Sequence, residues 1–135
     1  MTLQLSVAVR NAMLDAMETQ IGVSEKLMIY TGSEPANCAA STTGTKLVEY
    51  DLASDWAANA SSGAKALNSL PLSVTAVATG TAGYYRLYSS DGTTCGEQGS
   101  VTVTGGGGDM TLDNTSINSG QTVLINTCSK TMGGA

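Results

Sequence analysis

The chain has 135 residues, enough for one hydrophobic core and too few for two well-developed ones. Six Lys plus Arg stand against eleven Asp plus Glu, a net charge of −5, so the field that attracts a phosphate backbone is missing and direct nucleic-acid binding is not expected. Only 13% of residues are charged, Phe is absent, and Thr, Ser, Ala and Gly abound, which fits an ordered domain with a modest core rather than a disordered tail.

At the N-terminus, Leu5, Val9, Met13, Met17 and Ile21 recur every four residues, with Ala8, Ala12 and Ala16 alongside. Arg10, Asn11, Asp15 and Glu18 fall on the other sides, so the spacing predicts an amphipathic helix within residues 1–24, stopped by Gly22. Its apolar stripe can pack on the protein's own sheet, the usual fate of such a stripe. The sharper reading docks it on a neighbouring subunit through Leu5, Val9, Met13 and Met17. The same polar residues break any apolar run of a secretory signal, and no stretch approaches the roughly 18 apolar residues of a membrane span. Synthesis in a cytoplasm is therefore expected, with no membrane partner.

After Gly22 the period falls from four to two, and short segments rich in β-branched and aromatic residues alternate with turn residues. Strands are predicted over 26–31, 46–52, 70–78, 83–89, 99–104, 109–114 and 121–128. Asp91-Gly92 and Asn118-Ser119-Gly120 supply reversals between them. The run DLASDWAANASSGAKA reads as a loop or a short helical turn around Trp56, the only tryptophan and by default a core anchor. The expected fold is mainly β: the helix, then one antiparallel β-sandwich of jelly-roll or Ig-like type with about seven short strands over 25–135, all in one domain.

Little in the chain has the pattern of a catalytic or ligand site. The run Gly105 to Gly108 invites a phosphate-loop reading, but Asp109-Met110 follows where Lys and Ser or Thr are needed, and TLDNTSI reads as a strand where a dinucleotide fingerprint needs a helix. The glycines read instead as a flexible or tightly turned connector that lets backbone approach backbone. Asp51 with Asp55, and Asp109 with Asp113, lack the spacing of a calcium loop. With no histidine, no G-x-S-x-G and SSGAK in place of S-x-x-K, nucleophilic catalysis has no support. No enzyme activity, cofactor or metal site is expected. The sequons at Asn59 and Asn114 matter only in a secretory pathway.

Three cysteines, at 38, 95 and 128, form no C-x-x-C. Cys38 and Cys95 both fall in polar loop or turn stretches that can meet at one end of a sandwich. A bridge between them would contribute on the order of 4 kcal/mol if geometry permits it. Cys128 is then left over and free to bond another chain. The alternative is three reduced, partly buried thiols, as a cytoplasm favours.

Four stretches, AVRNAMLDAMETQIG, KLMIYTGSEPANCAA, TGTAGYYRLYSSDGTTC and QGSVTVTGGGGDMTLDNTSINSGQTV, together resemble a family of small virion-associated proteins from the structural gene clusters of tailed bacteriophages and prophages. The glycine run followed by DMTLDNTSI is the most specific part. Cys38 and Cys95 fit the family pattern, whereas Cys128 and the neighbouring INTCSK depart from it, which points Cys128 towards a partner outside the chain. The resemblance implies a virion protein assembled in the host cytoplasm. It would decorate or cross-link the capsid surface, neck or collar, with major capsid, neck or tail proteins and further copies of itself as partners. An alternative in another class is a tail- or fibre-associated module whose loops near Cys38 and Cys95 recognise a host receptor or glycan.

Overall fold

The computed structural model describes residues 3–132. Helix α1 spans Val7–Ile21: the Ser6 hydroxyl accepts from the Val9 N–H at its start, and Gly22, with φ at 105°, donates its N–H to the Glu18 carbonyl at its end. Each cap satisfies a backbone group that a helix end leaves open. The helix is shorter than the 24 residues allotted to it, but its stop at Gly22 is where the sequence put it.

Nine strands follow among the described residues: β1 (Lys26–Thr31), β2 (Lys46–Asp51), β3 (Ala64–Ala66), β4 (Leu72–Thr75), β5 (Gly80–Tyr88), β6 (Cys95–Val103), β7 (Met110–Leu112), β8 (Ser116–Ile117) and β9 (Thr122–Thr131). All seven predicted strands are present, joined by the short β3 and β8. The segment around Trp56 is a loop rather than a helical turn, with an isolated bridge between Ala57 and Leu67.

The expected antiparallel sandwich is not what these strands build. They form a single sheet, ordered β2-β1-β5-β6-β7-β9-β3, with β4 beside β9 and β8 beside β5. The sheet is mixed, because β6 and β7 run parallel. It curls into a half-barrel whose far ends approach one another: Ala76, just past β4, bridges to Val48 in β2, and the Val77 N–H donates to the Leu47 carbonyl at 2.7 Å. Alternation supplies an inner face for one core rather than two facing sheets.

Inside the curl pack Leu27, Ile29, Leu47, Tyr85, Leu87, Leu112, Val123 and Ile125. Trp56 sits in the same core and donates its indole N–H to the Gly22 carbonyl at 3.0 Å, tying the end of α1 to the sheet. On the outer face of β1 and β5 lies a second cluster, Met28, Tyr30, Tyr84 and Tyr88, with Tyr30 and Tyr84 stacked at 5.1 Å. These strands are buried on both faces because the loop 32–45 folds over the outside.

The four glycines form the connection between β6 and β7. Neighbouring parallel strands ordinarily need a crossover of a dozen or more residues; residues 104–109 manage it in six by doubling back along β6. The Gly108 N–H donates to the Thr102 hydroxyl at 3.0 Å, and a Cβ at Gly106 or Gly108 would lie 2.8 Å from the Thr102 side chain. Gly105 and Gly107 take φ of 89° and 82°, a region that favours glycine. The run is joinery, tightly turned against backbone. Asp109 closes it by accepting the Ser100 N–H and hydroxyl at 3.0 Å each.

Candidate functional site

Three places hold the residues that the sequence singled out: the outer face of α1, the cysteine pair beside the 32–45 loop, and the buried end of β9.

Helix α1 sits on the sheet the opposite way round from the common arrangement. Its inward side carries Leu14 and Ile21, both buried, together with the polar residues. Asn11 Oδ1 accepts the Gly63 N–H at 2.8 Å, and Asp15 Oδ1 accepts the Ala60 N–H at 2.8 Å. Between them rises Lys65 from β3, 2% exposed, with its Nζ 2.9 Å from Asp15, 3.0 Å from Glu18 and 2.8 Å from the Ala58 carbonyl. Burial pulls the Lys65 ammonium towards neutrality, but the bonds from Asp15 and Glu18 outweigh it and the pKa is raised. The Ala60 N–H, followed by Lys65, holds the Asp15 carboxyl below its ordinary value.

The consequence is an exposed helix face with no charge on it. Val7, Ala8, Val9, Ala12, Met13, Ala16, Thr19 and Gln20 are the exposed positions of α1, with Val9 and Met13 46% and 43% exposed. Of the four predicted contact residues, Val9 and Met13 stand in solvent, and Leu5 and Met17 are half-buried. Of the stripe, Ile21 alone is buried in the protein's own core. Beside it runs an apolar groove of about 460 Å³, walled by Met13, Met17 and Ile21 on one side and Thr94 and Gly96 on the other.

Cys38 and Cys95, 57 positions apart, meet with their sulfurs 2.6 Å from one another. Cys38 lies on the 32–45 loop and Cys95 opens β6. Side chains of the sheet hold the loop in place: Arg86 Nη2 donates to the carbonyls of Asn37 and Ala40 at 3.2 and 2.9 Å, and Gln98 Nε2 to that of Pro35 at 2.7 Å. Tyr84 donates to the Thr43 carbonyl at 2.7 Å. Burial, then the bond to Cys38, pushes the Cys95 thiol up to about 12. A polar groove of about 490 Å³ runs between the loop and the turn at Gly92, lined by Tyr30, Arg86, Tyr88 and Lys46. Lys46 is already paired with Glu49.

Cys128 corrects the expectation of an intermolecular bridge. It is 0% exposed inside the core, and burial pushes its thiol up to about 12. Strict alternation from Val123 and Ile125 would send Cys128 outward. A bulge at Asn126, where the register with β7 slips, reverses the parity and turns it in opposite Met110. A partner chain has no access to that sulfur while β9 is in the sheet.

The sequence reading missed Glu25. Its carboxyl is fully buried next to Gly22, and neither oxygen has a hydrogen-bond partner. Burial raises it from 4.5 to about 7, and the nearby Glu18 charge adds to the rise. Nothing in its sequence neighbourhood marks a carboxylate for burial. Among the described residues, no cluster of three or more His, Cys, Asp or Glu has the arrangement of a metal site. No described helix is long and apolar enough to cross a membrane.

No family model, curated protein or solved structure matches this chain.

Proposed function

We propose that this chain is a small structural protein of a tailed-bacteriophage particle. In this reading it decorates or cross-links the shell, neck or collar, docking on capsid, neck or tail proteins and on copies of itself. The observation that carries the reading is the charge-free outer face of α1. An exposed helix face that carries Val9, Ala12, Met13 and Ala16 and no charged residue is suited to being covered in an assembly. The sequence resemblance supplies the particle. A mechanical role fits the curled sheet, tied to its helix through the Lys65 network and Trp56.

The test is binding of purified protein to empty phage shells, comparing wild type with Val9→Lys/Met13→Lys. Both positions are solvent-exposed, so the double variant should keep its unfolding temperature while saturable binding falls by at least about tenfold, since each lysine must be desolvated on contact. Saturable binding to host cells with none to shells would overturn the reading in favour of a receptor-binding module. The polar groove lined by Tyr30, Tyr88 and Arg86 is what favours that second reading.

A further inference from the structure

We propose that Cys38 and Cys95 are a redox-modification site, a clasp that is open as two thiols and closes into a disulfide, locking the 32–45 loop onto the sheet. Three observations carry this. The sulfurs of residues 57 positions apart already touch. The loop that brings Cys38 there is held by Arg86, Gln98 and Tyr84, so closure requires no rearrangement of the backbone around it. A loop of this length without regular structure inside a compact domain needs a reason to stay put, and here it forms the cover of the Met28, Tyr30, Tyr84 and Tyr88 cluster.

The oxidant is a low-molecular-weight disulfide such as oxidised glutathione. One protein thiolate attacks it, forming a mixed disulfide and releasing one glutathione thiol; the second protein sulfur then attacks the mixed disulfide and releases the other. Two protein thiols lose two electrons and two protons, and one glutathione disulfide becomes two thiols. Cys128 takes no part, because its sulfur lies in the core on the other side of the sheet from the loop. A reducing cytoplasm keeps the clasp open and an oxidising medium closes it. The inference stands on the loop geometry alone and does not depend on the particle reading.

The experiment treats reduced, folded wild-type protein with oxidised glutathione, then alkylates it and maps the product by intact mass and peptides. The expected product is monomeric, lighter by two hydrogens, with Cys38 joined to Cys95 and Cys128 recovered as a free thiol after unfolding. Subtilisin cleavage within residues 33–43 should slow by about tenfold on closure, since the loop can then open only with the sheet. Cys38→Ser should cleave at the rate of reduced wild type under both conditions. Stable glutathione adducts on either cysteine, disulfide-linked dimers, or equal loop cleavage in the two redox states would each overturn the clasp. The wild-type comparison decides the matter even if the variant folds poorly.

Discussion

Replacing Glu25 by glutamine should abolish a fall in stability that the wild-type protein undergoes between pH 5 and pH 8. The folded-state pKa of Glu25 is about 7 against 4.5 for the free side chain, so the folded protein holds its proton more tightly than the unfolded one. Its contribution is fully present below about pH 4.5 and is lost as pH rises through about 7. A shift of that size corresponds to about 3 kcal/mol, which relaxation and water penetration around the ionised carboxylate reduce to about 1 to 2 kcal/mol. Two features make the ionised form unwelcome: burial beside Gly22 strips the carboxylate of water, and the Glu18 charge repels it, while Lys65 is occupied by Asp15 and Glu18. The window is clean because the chain has no histidine. Other shifted groups titrate elsewhere, Asp91 near 2 and Cys95 and Cys128 near 12. Thermal unfolding followed by circular dichroism at constant ionic strength should show wild type losing about 5 °C from pH 5 to pH 8, with Glu25→Gln flat over the range. A wild-type profile without slope, or a variant with the same slope, would refute the argument that an unpartnered carboxyl is held neutral there.

Lys65→Met leaves Asp15 and Glu18 facing an apolar side chain, and because both carboxylates keep some access to water the loss should be about 2 kcal/mol, read as a shift in urea midpoint. An unchanged midpoint would mean that the ion network does not hold α1. Within the glycine run, Gly108→Ala should cost about 2 kcal/mol by driving a methyl into Thr102, against about 1 kcal/mol for Gly105→Ala, which meets only an unfavourable φ with open space around it. Equal losses in denaturant titrations would remove the close packing on Thr102 as the cause.

Much of the sheet was legible because alternation with period two needs only the local sequence. KLMIYT and YYRLY announce themselves as β1 and β5, and Gly22 marks the end of α1. What escaped was every feature set by distant contacts. Strand β3 is three residues long and exists because it pairs with Lys130 and its neighbours in β9. The parallel register of β6 and β7 depends on glycines lying flat on Thr102, which spacing cannot express. Glu25 carries no local sign of burial, since its surroundings are assembled from the end of α1 and the segment after β2.

The sequence by itself determined the periodicities: a helix with an apolar stripe, seven strand-forming segments, a glycine joint and three cysteines in a chain without histidine. The tertiary structure decided which side of each element faces in. On α1 it inverted the default, because the surface beneath offers two backbone N–H groups and a buried ammonium, and these attract Asn11, Asp15 and Glu18 where an apolar floor would attract Val9 and Met13. On β9 one bulged residue reversed the parity and enclosed Cys128. Periodicity reports that an element has two unlike faces. Which face is buried depends on the polarity of what it lands on, and that surface is built from residues far away in the chain.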